Sequence, residues 1–344
     1  MTKKFDVVIG NPPYQDESSG TATYALPMYH LFMAAAYEIG RTAVLITPAR
    51  FLFNAGYTPK AWNRAMLNDP RLSVEHYVPN SDALFPGTDI KGGVAVTLWG
   101  VERQGEAIGT FTKYGHLNTI LHKVAAAHDE SIAPLITSSR SYRFTEDMHA
   151  AHPEAAPLQS GGELFKINTR TFQQLDFLYS ADRPTGTQAH VRVFGLADRE
   201  RAYRWIRSDF VAGPDSFRSY KVALPKANGS GAFGEALSNP QVLEPEVAVT
   251  ESFITIGSFS EGVLAEACLN YVRSKFARAL LGVAKVTQDT TRHTWQHVPM
   301  QDFTASSDID WSKSISEIDQ QLYAKYGLDA DEIAFIEDNV KPME

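Results

Sequence analysis

The chain has 344 residues, 44% of them apolar, and a formal net charge of −8 at pH 7. That is the make-up of an ordinary globular protein long enough for two cores, and no run of about 18 apolar residues offers a membrane span. One cysteine, Cys268, excludes an internal disulfide framework and a cysteine-based zinc site, which fits a reducing, cytoplasmic setting. The opening Met-Thr-Lys-Lys runs directly into a strand pattern and does not read as a signal peptide.

The acidity is local. Residues 301–344 hold 11 acids and 3 bases, whereas the first 300 residues hold 29 of each. Between 190 and 300 there are 13 bases and 11 acids, and arginine dominates the bases. Arginine suits phosphate and guanine contacts, so the overall charge does not exclude a nucleic-acid partner. A mixed solvated surface would give the same count.

In chain order, Phe5–Ile9 reads as a buried strand ending at Gly10. Tyr24–Ile39 reads as a helix, apolar nearly all round. Thr42–Thr47 is a second buried strand closed by Pro48. A short helix over Lys60–Leu67 follows, then strands over Leu72–Val78 and Gly92–Trp99. Short apolar strands alternating with helices predict a largely parallel, doubly wound α/β sheet. The stretch from about 125 to 190 is polar and rich in Ser, His and Pro, and reads as irregular. Strands are expected at His190–Phe194, Tyr220–Leu224, Glu246–Thr250 and Phe253–Phe259. A helix is expected over Ala197–Phe210, and a long one from Glu261 to Val283 with Ser258 and Glu261 as its capping box. The tail predicts two helices, capped by Ser314 with Glu317 and by Asp329 with Glu332, with Tyr326-Gly327-Leu328 as the break between them.

The chemistry is concentrated just past the first strand, in Asn11-Pro12-Pro13-Tyr14. In an open α/β sheet, ligands bind beyond the carboxyl ends of the strands. The Asn11 side chain offers an oxygen acceptor. Two prolines stiffen the backbone and leave carbonyls with no N–H beside them. Tyr14 offers a flat aromatic face. A rigid pair of acceptors with a stacking surface suits an exocyclic amine on a planar base. Holding both N–H bonds draws electron density onto the nitrogen and lets it attack an electrophilic methyl. Tyr14 would stack on a base taken out of the duplex. The competing reading is a Pro-Pro turn that ends a strand beside a packed tyrosine.

Phe5-Asp6-Val7-Val8-Ile9-Gly10-Asn11-Pro12-Pro13-Tyr14-Gln15 resembles the catalytic loop of the amino-methyltransferases that modify adenine N6. Thr47-Pro48-Ala49-Arg50-Phe51-Leu52 and Lys91-Gly92-Gly93-Val94-Ala95-Val96 resemble later segments of the same fold. Further along, Thr255–Phe259, Lys285–Asp289, His297–Pro299, Asp302–Thr304 and Ile318–Tyr323 resemble the target-recognition region and tail of large single-polypeptide restriction–modification enzymes of the type IIG and type I-like kind. The resemblance implies that Asn11, Pro12, Pro13 and Tyr14 form the target-adenine site. It implies S-adenosylmethionine as methyl donor, double-stranded DNA as partner, and Asp6 as a candidate near the donor. In that family the donor-binding motifs precede this loop, which leads to the expectation of a complementary donor-binding half and of inactivity in its absence. The strand over Val7–Ile9 is then expected at a sheet edge that something else covers.

The implied organisation is an incomplete doubly wound, Rossmann-like catalytic domain over residues 1–125, a mixed α/β target-recognition domain over 126–300 and an acidic helical tail over 301–344. Arg273, Lys275, Arg278, Lys285 and Arg292 are candidate DNA contacts, with a solvated helix face as the alternative. Gly229-Ser230-Gly231-Ala232-Phe233-Gly234 matches G-x-G-x-x-G, but Pro240 and Pro245 leave no room for the helix such a loop must open. A loop touching DNA backbone is the preferred reading there. His293 and His297 lack a third ligand, so no metal is expected. The alternative function is a DNA-specificity module without catalysis of its own.

Overall fold

A computed structural model describes residues 3–15, 26–127, 130–159, 161–285 and 287–343. The chain divides into two compact units, one up to Asn118 and one from Thr119.

The first unit holds strand β1 (Phe5–Gly10), helix α1 (Tyr29–Ile39), β2 (Gly40–Pro48), α2 (Lys60–Leu67), β3 (Leu72–Val78) and β4 (Val94–Gly100). The start expected for α1 at Tyr24 lies outside the described residues. The four strands form one sheet in the order β1-β2-β4-β3. The α/β class holds, but the sheet is not largely parallel. Only β1 and β2 run parallel, while β2–β4 and β3–β4 are antiparallel. The physical reason is the connection: β3 and β4 are joined by a 15-residue loop without a crossover helix, and a parallel pair needs one. Helix α1 buries Tyr29, Met33, Ala36 and Tyr37, spaced as one helical face, and leaves Leu31 and Phe32 exposed. Tyr37 stacks on Trp99 at 4.8 Å, and the Trp99 indole donates to Asp69 at 3.1 Å. Strand β1 sits at the sheet edge as expected, with Phe5, Val7 and Ile9 exposed to 54%, 54% and 77%.

Helix α3 (Gly115–Ala126) leads into the second unit. There follow β5 (Ile136–Thr137), β6 (Arg143–Phe144), α4 (Glu146–Ala151), α5 (Thr171–Gln174), β7 (His190–Ala197), β8 (Glu200–Arg207), β9 (Val211–Ala212), β10 (Tyr220–Pro225), β11 (Gln241–Leu243), β12 (Val247–Val249) and β13 (Phe253–Phe259). Helices α6 (Gly262–Arg273), α7 (Lys275–Ala284), α8 (Ile315–Lys325) and α9 (Ala330–Asn339) complete the unit. The strands form the sheets β11-β10-β13-β5 and β12-β7-β8 and the pair β6-β9.

Two helix expectations are corrected here. Residues 200–207 are not helical: β8 pairs antiparallel with β7 across a two-residue loop. Asp198 and Arg199 both take positive φ, 52° and 70°, as a tight hairpin turn requires. The long helix breaks at Ser274, whose hydroxyl caps α7 by accepting from the Ala277 N–H. Ser258 does not cap α6; it lies in β13 and bonds Ser219. Both tail capping boxes form as expected. The tail packs into the core that β10, β13, α6 and α7 share, through Ile318, Leu322, Tyr323 and Ile336.

Candidate active site

The parallel pairing of β1 with β2 sets Gly10 beside Leu45, so both strands end on the same side of the sheet. The Asn11–Gln15 loop leaves from β1 there, and the turn at Ala49–Phe53 leaves from β2. The loop is fastened to the start of α1 by the Met28 N–H donating to the Tyr14 carbonyl at 3.1 Å and by a bridge from Gln15 to Pro27.

Tyr14, Tyr29, Tyr57, Arg50 and Asp89 wall a cavity of about 210 Å³. That is below the roughly 300–1,000 Å³ of sites for drug-sized ligands, and it suits a single planar group. Arg50 is a built-in feature of the wall. Its Nε donates to the Lys91 carbonyl at 2.6 Å. Gly56 and Gly92, both at φ +86°, flank its side chain, and a Cβ on Gly92 would stand 3.1 Å from Arg50 Cγ. Behind the cavity Tyr29 packs against Phe51 and Trp62. Burial raises the Tyr29 pKa, partly opposed by a hydrogen bond to Thr58 and the Arg50 charge.

Tyr14 is half-buried, and burial pushes the pKa of its hydroxyl up while the Asn11 side chain pulls it back. The contact falls short of a formed bond: the Tyr14 hydroxyl is buried without a hydrogen-bond partner among the described residues. Asn11 and Pro13 are exposed and Pro12 is half-buried. Of the four loop residues expected to act, only Tyr14 walls the cavity. Asp6 is exposed on β1. The sequence reading assigned no role to Arg50, Tyr57 or Asp89. No signal in the sequence joins Arg50 to Gly56 and Gly92, which only the fold brings beside it.

The basic residues expected to meet DNA separate into two kinds. Arg278 is 2% exposed, with Nε on the Arg273 carbonyl at 3.0 Å. Lys285 is 6% exposed, with Nζ on the Asn228 carbonyl at 2.8 Å. These two are internal props, which corrects their reading as phosphate contacts: packing around α7 and its C-terminal cap buries both side chains, and their polar heads are turned to backbone carbonyls. Val286, beside Lys285 in the resembling segment, lies outside the described residues. Lys275 is ion-paired with Glu337 at 2.5 Å, and Arg273 reaches the Pro240 carbonyl at 3.3 Å. Arg292 is exposed.

The glycine loop at 229–234 opens no helix. Its backbone N–H groups at Ser230 and Gly231 are taken by Glu235, at 2.9 Å and 3.1 Å. With the Ser230 hydroxyl also donating, these bonds hold the Glu235 carboxyl down at about 2. An internal carboxylate thus occupies the position a phosphate would need.

A curated relative, an uncharacterized adenine-specific methylase of Mycoplasma pneumoniae (strain ATCC 29342 / M129 / Subtype 1), is 27% identical over 108 residues, which is 30% of this chain and 26% of that protein. Among solved structures, the chain aligns over 97% of its length with the type IIG restriction endonuclease BpuSI, at 12% identity and a TM-score of 0.33, covering 52% of it. It aligns likewise over 97% with the Type IIL restriction-modification enzyme MmeI in complex with DNA, at 7% identity and a TM-score of 0.30, covering 56%. The chain therefore spans about a quarter of the curated relative and about half of each solved chain. Residues 1–85 match the Eco57I restriction-modification methylase family, and that segment contains the Asn-Pro-Pro-Tyr loop and most of the cavity wall.

Proposed function

We propose that the first unit is the target-base part of a DNA adenine-N6 methyltransferase of a restriction–modification system. The observation that carries this reading is the Asn11–Tyr14 loop at the carboxyl end of β1, with Tyr14 in the wall of a base-sized cavity. Adenine extruded from the duplex stacks on Tyr14. The Asn11 side-chain oxygen and the Pro12 carbonyl accept the two N–H bonds of its amine. The amine nitrogen becomes the nucleophile as its density localises, and the acceptors carry the positive charge that develops on it.

S-adenosylmethionine is the donor that the methylase resemblance suggests; when bound it supplies an electrophilic methyl group. The G-x-G-x-x-G loop does not fit it, because Glu235 takes the backbone N–H groups that a ligand there would need. The open, apolar edge of β1 suits a further strand, and a complementary donor-binding chain or segment is the partner we infer for it. The occupied glycine loop also favours a second reading, in which this chain serves as a DNA-specificity module and transfers no methyl group by itself.

Nucleoside binding tests the first reading without the donor. Tyr14 ring signals are followed by NMR as deoxyadenosine or purine deoxyriboside, which lacks the amine, is added. Deoxyadenosine binds more tightly, and Asn11→Ala removes the difference. Equal binding of the two nucleosides by the unaltered chain sinks the proposal.

A further inference from the structure

The second unit contains a groove of about 760 Å³ between the segment Ile136–Ser141, Lys226 and the loop Thr290–His293. Its charged walls are Arg140, Lys226 and Arg292, and no carboxylate is among its lining residues. Arg292 is held in place: Nε and Nη2 donate to the Ile136 carbonyl at 3.2 Å and 3.0 Å. Its Nη1 has no partner among the described residues. The Lys226 ammonium has none there either. Arg140 is two-thirds exposed and lies 3.3 Å from Glu251, the nearest acid. The rest of the wall is serine and threonine together with Ile136, Pro214, Ile254 and His293. Thr290 is 1% exposed, and its hydroxyl has no hydrogen-bond partner among the described residues.

Arg140 has Glu251 as a counter-charge, whereas no ion pair forms at Lys226 or Arg292 among the described residues, and a groove that keeps such cations raises the local concentration of anions. Arginine, lysine and hydroxyl donors are the groups that seat nucleic-acid phosphates. Arg140 also lines an adjoining groove of about 330 Å³ with Arg143 and with Lys166, which is ion-paired to Glu163, so the basic strip continues past the first groove through Arg143. A strip of this length matches a polyanion better than a single phosphate.

We propose that this groove seats the phosphodiester backbone of duplex DNA, with Arg140, Lys226 and Arg292 as its phosphate contacts. The inference rests on DNA being the partner, and it moves the contact surface away from α7.

The test is fluorescence anisotropy of the full chain with a labelled duplex of mixed sequence, across a potassium chloride series. Each lost phosphate contact lowers the slope of log K against log salt by about 0.9. Arg140→Gln, Lys226→Gln and Arg292→Gln each lower it by about one, and the triple variant by nearly three. Lys313→Gln, in the acidic tail, leaves it unchanged. Because Arg292 also holds backbone carbonyls, thermal unfolding is recorded beside each titration. Arg140→Gln and Lys226→Gln break no backbone contact, and they decide the matter if Arg292→Gln unfolds the chain. Unchanged slopes in a duplex-binding chain overturn the groove and leave the adenine reading standing. A chain that binds inorganic phosphate here but no duplex overturns it too. The nucleoside experiment judges the adenine reading separately.

Discussion

Strands β1 and β13 carry the same kind of sequence and meet opposite fates. Phe5-Asp6-Val7-Val8-Ile9 and Phe253-Ile254-Thr255-Ile256 both read as buried strands. In β13, Ile254 and Ile256 are 3% and 0% exposed, covered by the helices that share their core. In β1, Val7 and Ile9 are 54% and 77% exposed, because β2 is its only strand neighbour among the described residues. Apolar composition states what a strand would bury; its neighbours decide whether it does. The proposed target-base loop departs from the uncovered strand, and the proposed backbone groove belongs to the covered unit.

The sharpest break of this comparison is a matched pair of truncations. Ile256→Ala removes fully buried methyl groups and is expected to cost the second unit about 2–5 kcal/mol. Ile9→Ala changes the stability of the first unit by no more than about 0.5 kcal/mol. Denaturant unfolding, followed by hydrogen exchange within each unit, reads both. A cost at Ile9 equal to that at Ile256 would mean that β1 is covered in solution.

Strand β10 offers the inverse case, a charge inside. Lys221 is fully buried, and its ammonium donates to the carbonyls of Phe217, Ser219 and Glu244 at 3.3, 3.0 and 3.2 Å. Burial lowers its pKa from 10.5 to about 8. Above about pH 8 the folded chain gives up this proton while the unfolded chain keeps it until about 10.5, so the site's contribution to stability rises with pH across that window. Against Lys221→Met, the unaltered chain should gain between about 1 and 3 kcal/mol on going from pH 7.5 to 10.5. The three carbonyls stabilise the charged form and keep the gain below the full shift. A stability difference that is flat with pH would refute the burial argument.

A smaller effect is expected at the tail. Asp329 caps α9 by accepting from the N–H groups of Asp331 and Glu332. Asp329→Ala should lower stability by about 1 kcal/mol in thermal unfolding, and Asp329→Asn by less. Equal losses would place the effect in the Lys123 ion pair, at 3.4 Å, instead of in the cap.

That cap was legible in the sequence, as were the Ser314 cap, the strands of the first unit and the Asn-Pro-Pro-Tyr loop. Each depends on residues within a few positions of one another. The failures have the opposite character. Nothing local marks Asp198-Arg199 as a tight turn, because neither residue is glycine although both take positive φ. Ser274 sits inside an unbroken helical pattern, and only its contact with Ala277 shows that it caps. Arg278 and Lys285 look like a solvated face until tertiary packing closes around them. The seat of Arg50 combines Gly56, Lys91 and Gly92, which no spacing rule joins.

The finest test concerns the β1 edge itself. Ile9→Lys places a charge where 77% of the side chain is already exposed, so its effect on the stability of the first unit should stay within about 0.5 kcal/mol. Its effect on association should be larger, because a lysine blocks the strand pairing that an open apolar edge invites. Light scattering over a concentration series is therefore expected to show less self-association for Ile9→Lys than for the unaltered chain, with Leu31→Lys on the exposed face of α1 as a control away from the edge. If both lysines reduce association equally, exposed apolar area in general is responsible, and the edge has no special role. If Ile9→Lys alone does so, the strand end that carries Asn11 is also a pairing edge, and a chain docking there would complete the sheet beside the target-base loop.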